Sequence, residues 1–377
     1  MFSEFKRAAW VEVSLGNIRD NYRAIRQLAP ECGTIACVKG DAYGHGIVNT
    51  SLELAGEGAE YLGVATLGEA EALRGAGIRT KIVLLSPFPR ANAKDVIDLD
   101  LIPVVTTYTD AELLSQTAAG DGSPKKICCF IALETGMGRL GFMPTDESVW
   151  DISAIASLPG IKILGLHSHF ASADGPDLSF AKKQLKDFNI FAEKLRETGI
   201  DTGKKSMANS AAIMTLPESH FDIVRPGIAQ YGIYPSDAID KNAVSLKPAM
   251  SVKANIIYVK KTPPGASVSY GSTFVTERES LIATLPVGYA DGMPRNTHGE
   301  ARVLVRGRYA PIVGTVCMDL CMADVTDIPG IREYDEAVLL GEQGSQTILA
   351  EEIAVFSDTN PYEVVTRFGQ RLPRKYI

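Results

Sequence analysis

The sequence predicts an α/β protein with two domains, a (β/α)8 TIM barrel followed by a C-terminal all-β domain. The chain has 377 residues, which is long for one domain and sufficient for two. In the first two thirds, short β-branched runs alternate with segments of helical period, whereas after about Lys247 turn signals alone separate the strand-like runs. We therefore expect a barrel over residues 12–244 and an all-β domain over residues 245–377.

The order of elements along the chain supports the barrel. Trp10–Ser14 alternates like a strand and precedes a helical pattern over Leu15–Leu28, and helical periodicity is clearest over Phe180–Thr198. Eight strands alternating with helices favour a closed barrel, and an open doubly wound sheet is the alternative. The eight predicted strands are Thr34–Val38, Tyr61–Thr66, Lys81–Ser86, Ile102–Thr107, Lys126–Leu133, Ile161–His169, Lys205–Asn209 and Asp222–Arg225.

The last third of the chain predicts strands without intervening helices. Turn signals such as Pro263-Pro264-Gly265 and Arg306-Gly307-Arg308 separate the runs, which indicates an all-β domain. The predicted strands are Ser251–Val259, Ser267–Val275, Ser280–Val287, Ala301–Val305, Tyr309–Val316 and Ala337–Gly341.

Composition excludes several classes of protein. Hydrophobic residues make up 45% and charged residues 22%, as in ordinary globular proteins, and the net charge of −7 gives no basic surface for nucleic acid. The first ten residues contain Glu4, Lys6 and Arg7 and no apolar core of a secretory signal. No apolar stretch approaches the roughly 20 residues that span a bilayer. We therefore expect a cytoplasmic protein that binds neither nucleic acid nor membrane.

Cysteine and histidine spacing gives no metal site. The six cysteines are too few for a disulfide scaffold in a chain of this length, and reduced, buried thiols are the favoured interpretation. Cys317 and Cys321 have CxxxC spacing, but no second pair completes a zinc site. His167 and His169 lie on the same side of a predicted strand, again without a third ligand. We predict that the protein holds no metal.

Lys39 is the strongest single candidate for catalysis. It follows the apolar run Thr34–Val38 and precedes a glycine-rich turn that ends at Gly46. A lysine at the carboxyl end of a buried strand can be desolvated, which makes it a candidate to form a Schiff base. Tyr43 and the glycine amides beside it can hold an anionic group. For Lys39 taken alone, a solvated lysine at a strand end is an equal alternative.

Other polar residues follow other barrel strands. Loops at the carboxyl ends of barrel strands build the active site, so side chains placed there are expected to converge. After the eighth strand, Pro226 lacks an N–H, and the amides of Gly227 and Ile228 would therefore hold a phosphate. A plain turn glycine is the alternative for Gly227. The residues at or just past strand ends are Lys39, Arg139, His169, Ser210 and Arg225.

The segment Val38–Gly46 resembles the pyridoxal-phosphate lysine motif of alanine racemases. The resemblance continues in the family's order from the first fifth of the chain nearly to its end. It implies that the N-terminal segment, residues 1–11, joins residues 245–377 in the all-β domain. The further matching segments are Gly136–Gly141, His169–Phe170, Ala208–Ala212, Val224–Ile228, Val268–Gly271, Gly288–Gly292, Cys317–Asp319 and Tyr362–Val364.

This resemblance implies that pyridoxal 5'-phosphate is bound by Lys39 as an aldimine and that Arg225 donates to the pyridine nitrogen of the cofactor. Arginine is a donor only, so that nitrogen must be unprotonated, which makes the ring a weaker electron sink. Barrel-fold amino-acid decarboxylases place a carboxylate there instead, so Arg225 argues for racemisation. The other cofactor-binding residues implied are Tyr43, His169, Asn209, Ser210, Gly227, Ile228 and Tyr362.

The resemblance also implies a two-base reaction that supplies D-alanine for peptidoglycan. Lys39 would serve one face of the substrate Cα, and Tyr270, which His169 would hydrogen-bond, would serve the other. Arg139 and the backbone of Met318 would bind the substrate carboxylate, and Tyr289 would line the access path. Family members are head-to-tail homodimers in which the tyrosine base comes from the neighbouring subunit.

Two other functions remain open from the sequence. One is a racemase of serine or of a broader amino-acid range on the same scaffold. The other is a non-catalytic pyridoxal-phosphate homeostasis protein, which shares the barrel and its lysine. Proteins of that second class lack a β domain, so the segment after Lys247 argues against them.

Four positions depart from the family pattern. Ala132 stands where many members carry a carbamylated lysine, so a chloride ion or Glu134 would have to position Arg139. Ser206 stands where a histidine usually helps to hold the arginine at the ring nitrogen. Gly40 and Asp41 replace the more usual Ala-Asn after the lysine.

Overall fold

The computed structural model describes residues 6–120, 126–297 and 299–377. The described residues form two compact units, which we call the barrel unit and the sheet unit. The barrel unit contains Ile18–Ala42 and Ile47–Lys247. The sheet unit contains the described residues up to Asn17 together with Tyr43–Gly46 and Pro248–Ile377. Residues 1–5, with Glu4 of the charged start and part of the predicted 1–11 segment, lie outside the described residues.

Eight parallel strands form a closed barrel in the barrel unit, which confirms the predicted fold class. The first strand pairs with the eighth through Gly33↔Ile223 and Thr34↔Val224, and this pairing closes the sheet and excludes an open one. Each predicted strand ends within two residues of an observed one. The strands are Gly33–Cys37, Tyr61–Val64, Lys81–Leu84, Leu101–Val105, Ile127–Ala132, Ile161–His167, Lys204–Asn209 and Ile223–Arg225.

Helices follow the barrel strands because their sequences provide one apolar face and a start signal. Ser179–Glu197 buries Leu185, Phe188 and Phe191 on one side. Thr66 caps the helix that follows it in a capping box with Glu69. The helices are Leu15–Leu28, Ile47–Gly56, Leu67–Gly75, Ala93–Asp98, Tyr108–Gly120, Asp146–Ser157, Ser179–Glu197 and Ser210–Thr215. Among the described residues, none of the helices is both long enough and apolar enough to cross a bilayer.

Large apolar side chains fill the barrel interior. Ile35, Val83, Val104 and Phe130 are buried in one cluster with Tyr61, whose ring meets Phe130 edge-on at 6.5 Å between centroids. A packed interior leaves only the ends of the barrel for polar side chains. The residues that follow the strands are therefore the ones able to form a site.

The sheet unit contains three sheets. The N-terminal strand lies within the largest of them, as the family resemblance implied, pairing antiparallel with Met250–Asn255 and parallel with Arg374–Tyr376. In order, the largest sheet contains Arg308–Pro311, Arg302–Val305, Glu336–Gln343, Met250–Asn255, Ala9–Val13 and Arg374–Tyr376, with Gln346–Ile348 paired to Glu336–Gln343. The other sheets are Tyr258–Thr262, Ser280–Leu285 and Cys321–Asp324, and the short pair Ser267–Val268 and Phe274–Val275.

The sheet unit differs in detail from the sequence prediction. The predicted strands Ser251–Val259 and Ser267–Val275 are each broken in two, the second by a 3-10 turn over Tyr270–Ser272 in which Gly271 has φ 74°. Two helices, Ala350–Phe356 and Pro361–Arg367, were not predicted. The second had a recognisable start, because the Asn360 side chain accepts from the Glu363 N–H and a proline follows it.

Candidate active site

Lys39 opens a left-handed turn at the end of the first barrel strand. Gly40, Asp41 and Ala42 have φ values of 65°, 53° and 54°, and the Ala42 N–H donates to the Val38 carbonyl at 2.8 Å. Left-handed backbone costs about 1–2 kcal/mol at each residue other than glycine, so surrounding contacts must hold the turn. The Asp41 carboxylate supplies one of them by accepting the Ile47 N–H at 2.8 Å. The half-buried Lys39 therefore leaves the strand from a fixed backbone.

Glu69 ties this turn to the loop after the second barrel strand. Its carboxylate accepts the Gly40 N–H at 2.6 Å, the Ala65 N–H at 2.8 Å and the Thr66 N–H at 3.2 Å. Sequence analysis did not single out Glu69. The capping pattern Thr66-x-x-Glu69 was the signal that could have found it.

The strand end before Lys39 is also anchored to the segment after the eighth strand. The Cys37 carbonyl accepts from Gln230 Nε2 at 2.7 Å and from the Tyr231 hydroxyl at 2.8 Å. The Cys37 N–H donates to the Pro226 carbonyl at 3.0 Å. Sequence analysis missed Gln230, a fully buried amide in an apolar run. These contacts fix the spacing between the Lys39 turn and the Arg225 loop.

Arg225 is a buried cation with several acceptors around it. Its Nη1 donates to Ser206 Oγ at 2.8 Å, and its Nη2 donates to the carbonyls of Ser168 at 2.5 Å and Met207 at 3.1 Å. Burial lowers the pKa of the Arg225 guanidinium to about 10, which leaves it charged at neutral pH. Ser206 also donates to the Ile223 carbonyl at 2.9 Å, so it holds the arginine although it is not a histidine.

His169 is held as a neutral imidazole by the same arginine. Arg225 Nη2 lies 3.1 Å from His169 Nδ1, and because arginine only donates, Nδ1 is the acceptor and the ring proton is on Nε2. Burial lowers the pKa of His169 well below its ordinary value, and the charges of Arg225, Arg139 and Lys39 lower it further. His169 therefore presents an N–H donor from Nε2.

Backbone amides converge on Ser210 after the seventh and eighth strands. Its hydroxyl oxygen accepts the Gly227 N–H at 2.8 Å and the Ala229 N–H at 3.3 Å. Amides that point to one oxygen atom suit a phosphate, so the residues here fit an anionic group. Ile228 is buried between these donors, and Asn209 caps the short helix that starts at Ser210 by accepting the Ala212 N–H.

The loop carrying Arg139 is held by Glu134. The carboxylate accepts the Gly136 N–H at 2.5 Å and the Arg139 N–H at 2.9 Å. Burial alone would raise the pKa of Glu134, but these backbone donors, with those of Gly138 and Met137, lower it. Glu134 thus positions the backbone of Arg139. With Ala132 in place of a lysine, a small cavity of about 30 Å³ lies beside Arg139, lined also by His167.

A second group of predicted site residues either belongs to or contacts one loop of the sheet unit, residues 315–320. The Thr315 hydroxyl donates to the Tyr270 carbonyl at 3.0 Å, and the Tyr289 N–H donates to the Cys317 carbonyl at 3.0 Å. The Ala290 N–H donates to the Met318 carbonyl at 3.0 Å. In the single chain the side chains of Tyr270 and Met318 are 71% and 53% exposed, so this surface is available to another molecule.

Backbone strain accompanies Tyr270. Ser269 has φ 68° and ψ −175°, a region that residues other than glycine rarely adopt. Its hydroxyl donates to the Thr315 carbonyl, and this bond holds the strained residue against the 315–320 loop. Strain of this kind clusters at functional sites, where it sets the direction of a neighbouring side chain.

The two tyrosines predicted to bind phosphate also lie together in the sheet unit. The rings of Tyr43 and Tyr362 are 6.2 Å apart between centroids and tilted by 48°. Both residues are half-buried.

No metal centre is evident in the described part of the chain. No three histidine, cysteine or carboxylate side chains there are grouped so that they could hold a metal ion. All six cysteines are free, and burial raises the pKa of the Cys321 thiol to about 12.

The predicted site residues thus fall into two sets. The barrel unit brings together Lys39, Arg139, His169, Asn209, Ser210, Arg225, Gly227 and Ile228 at the carboxyl ends of its strands. The sheet unit contains Met318 on the 315–320 loop, with Tyr270 and Tyr289 in contact with that loop, and Tyr43 beside Tyr362.

Both units match known families of protein domain. Residues 13–235 match the family described as alanine racemase, N-terminal domain, and residues 249–376 match alanine racemase, C-terminal domain. Alanine racemase 1 of Clostridium acetobutylicum is 44% identical over 371 residues, covering 98% of this chain and 96% of that protein. Alanine racemase of Clostridium kluyveri is 42% identical over 377 residues, covering 100% of this chain and 96% of that protein.

Solved structures of alanine racemases are similar to this chain over nearly its whole length. Alanine racemase of Clostridium difficile 630 superposes with a TM-score of 0.94 at 35% identity, covering 99% of this chain and 97% of that one. Alanine racemase of Bacillus anthracis, solved with bound L-Ala-P, superposes with a TM-score of 0.93 at 34% identity, covering 100% of this chain and 96% of that one.

Proposed function

Because the chain belongs to the alanine racemase family of pyridoxal-phosphate-dependent isomerases, we propose that Lys39 and Tyr270 interconvert L- and D-alanine as acid–base groups on opposite faces of Cα. The observation that carries this proposal is that each unit contains one set of the predicted site residues. The barrel unit places Lys39, His169, Arg225 and the amides that meet Ser210 at the carboxyl ends of its strands, and the sheet unit exposes Tyr270 beside the 315–320 loop. D-Alanine formed in this way would serve peptidoglycan synthesis.

The residues of the barrel unit fit the cofactor. Pyridoxal phosphate supplies a carbonyl that bonds the substrate amine and a ring that stabilises the charge left when Cα loses its proton. Lys39 would hold that carbonyl carbon, and Ser210 with the amides of Gly227 and Ile228 would bind the phosphate, helped by Tyr43 and Tyr362. The Gly227 amide, which already points to Ser210 Oγ together with that of Ala229, supports the assignment of Gly227 and Ser210.

Arg225 would select the reaction. It would donate to the ring nitrogen and, being charged and donor-only, would keep that nitrogen an acceptor. Because such a ring is only a weak electron sink, it favours prompt return of the proton to Cα. Ser206, Ser168 and Met207 orient the guanidinium for this contact.

Tyr270 would act from the neighbouring subunit of a homodimer. A phenol ordinarily loses its proton only near pH 10, so a tyrosine base needs donors or positive charge beside it. His169 carries its proton on Nε2 and can donate to the phenolic oxygen. The high exposure of Tyr270 in the single chain supports a role in which it completes the partner's site.

The substrate carboxylate would be bound by one group from each half-site. Arg139 lies on the loop that Glu134 fixes, and its guanidinium matches a carboxylate. The N–H of Met318 would meet the same carboxylate from the partner, and Tyr289 would line the access path.

A test of the proposal mixes two inactive variants. Tyr270→Phe is expected to abolish racemisation while the cofactor stays bound, and Lys39→Ala is expected to lose both activity and the covalently held cofactor. If Tyr270 acts in the partner's site, the mixture regains up to about a quarter of wild-type activity, because half the dimers are mixed and each has one complete site. Chiral product analysis gives the rate.

The control for this experiment is proof of subunit exchange, obtained with differently tagged chains. Exchange without recovered activity would place both bases in one chain or remove Tyr270 from catalysis. A protein that binds no pyridoxal phosphate would overturn the cofactor assignment itself. A panel of L-amino acids in the same assay separates a dedicated alanine racemase from one that also accepts serine.

A further inference from the structure

Four charged side chains form a line of ion pairs that ends at Asp319 in the 315–320 loop. Arg7 Nη2 lies 2.7 Å from Asp291 Oδ2, Arg371 Nε lies 3.3 Å from Asp291 Oδ1, and Arg371 Nη2 donates to Asp319 Oδ1. Asp291 is fully buried, whereas Arg371 and Asp319 are about half exposed. Sequence analysis assigned no role to Arg7, Asp291 or Arg371.

The line connects the two chain segments that carry Tyr289 and Met318. Asp291 Oδ2 accepts the Gly288 N–H at 2.9 Å and so closes the turn that contains Tyr289. A side chain at Gly288 would lie 2.3 Å from the Met318 carbonyl, so the two segments are in direct contact. Asp319 directly follows Met318. Arg371 therefore bridges both segments through its two carboxylate partners.

The Arg371 bridge also neutralises a negative charge, that of Asp319. Asp319 is a carboxylate one residue from the N–H that, on the function proposed above, binds the substrate carboxylate. Like charges repel each other, and the Arg371 cation paired with Asp319 would offset the repulsion between Asp319 and the substrate carboxylate. Arg371 makes the only hydrogen bond to the Asp319 side chain that we find among the described residues.

We propose that Arg371 is a positioning residue for the substrate, because it neutralises Asp319 beside the carboxylate subsite and fixes the 315–320 loop to buried Asp291. This inference rests on the proposed function for the identity of the substrate. It assigns Arg371 no contact with the substrate itself.

Steady-state kinetics of the holoenzyme test the inference. Arg371→Met leaves Asp319 without a counter-charge, so KM for alanine is expected to rise about three- to tenfold with kcat changed less than twofold. Adding Asp319→Asn removes the charge that needed neutralising and is expected to bring KM back to within about twofold of wild type. Raising the ionic strength is expected to lower KM in the single variant because salt screens the repulsion.

Arg278→Met is the matched control, because Arg278 pairs with Asp327 at 2.6 Å on the surface of the same unit. It is expected to leave KM unchanged. An unchanged KM in Arg371→Met, or a raised KM that Asp319→Asn does not restore, would overturn the inference.

Calorimetric titration with acetate as a carboxylate probe provides a readout independent of turnover. Binding is expected to weaken three- to tenfold in Arg371→Met and to recover in the double variant. If the wild-type enzyme does not racemise alanine, the proposed function fails, and the acetate series still decides whether Arg371 neutralises Asp319. Equal acetate affinity in wild type and Arg371→Met would overturn the inference in that case as well.

Discussion

At the scale of single residues, the site depends on side chains that act on other side chains. Arg225 is aimed by Ser206 and by two carbonyls, and it in turn fixes which nitrogen of His169 carries a proton. Arg225 and Ser206 are buried, so the loss of either partner would leave a buried polar atom without compensation. Small polar residues such as Ser206 therefore have a larger effect on the site than their size suggests.

Ser206→Ala tests this dependence. The substitution removes the acceptor of Arg225 Nη1 and the donor to the Ile223 carbonyl, both of them buried. We expect the free energy of unfolding to fall by about 1–3 kcal/mol, since a buried charged donor loses one partner. Urea denaturation measures this change in the free energy of unfolding.

Ser153→Ala is the control for that experiment, because Ser153 only donates to the Val149 carbonyl within its own helix. We expect it to change stability by less than about 0.5 kcal/mol. Equal effects of the two substitutions would contradict the argument that the buried network matters.

At the scale of elements, the turn that follows Lys39 requires glycine for two separable reasons. Gly44 has φ +81°, and a Cβ there would lie 2.3 Å from the Val365 carbonyl oxygen. Gly77 has the same φ of +81°, but a Cβ added to it would meet no other atom within 4 Å. The two glycines thus share the backbone strain and differ only in the clash.

Alanine substitutions at Gly44 and Gly77 separate the cost of the left-handed backbone from the cost of the steric clash. Gly77→Ala is expected to cost about 1–2 kcal/mol of unfolding free energy from the left-handed backbone alone. Gly44→Ala adds a backbone clash and is expected to cost about 1–3 kcal/mol more. It is also expected to weaken pyridoxal-phosphate binding, because Tyr43 is the adjacent residue. If both variants lose the same free energy of unfolding in urea denaturation, the Val365 carbonyl moves away from the new Cβ at no energetic cost.

The barrel strands could be predicted because each is a continuous apolar run between polar segments, as in Ile161–His167. The helix Ala350–Phe356 could not, because a two-turn amphipathic segment gives no clear period. Site residues at strand ends were predictable from position and family resemblance. The contact of Gln230 with the Cys37 carbonyl and that of Glu69 with the Gly40 N–H were not, because only the folded chain brings these groups together.

At the scale of the whole molecule, two neutral histidines inside the barrel make stability depend on pH. Burial, with the charge of Arg225 and its neighbours, lowers the pKa of both His167 and His169 well below the ordinary value. Below about pH 6.5 the unfolded chain therefore binds protons that the folded chain does not, so stability falls as the pH falls. The expected slope approaches about 1.4 kcal/mol per pH unit for each histidine.

Urea denaturation between pH 7.5 and 5.5 measures this slope, and His167→Gln should reduce it by about half. Carboxylates whose pKa is lowered in the fold, such as Glu12 and Glu134, contribute in the same direction only below about pH 4.5. If the free energy of unfolding changes with pH only below about pH 4.5, the carboxylates and not the histidines cause the dependence.

The position of the N-terminal strand has a consequence for how the protein is made. Ala9–Val13 lies between Met250–Asn255 and Arg374–Tyr376, and Glu12 meets a lysine 363 residues later in the chain. At about 5–20 residues per second, a ribosome needs roughly 20–70 s to deliver that last partner. Ala9–Val13 therefore remains unpaired with these strands while the whole barrel is synthesised. Ribosome-bound chains that end before residue 248 are expected to recruit chaperones through this strand, and chains released at full length are not.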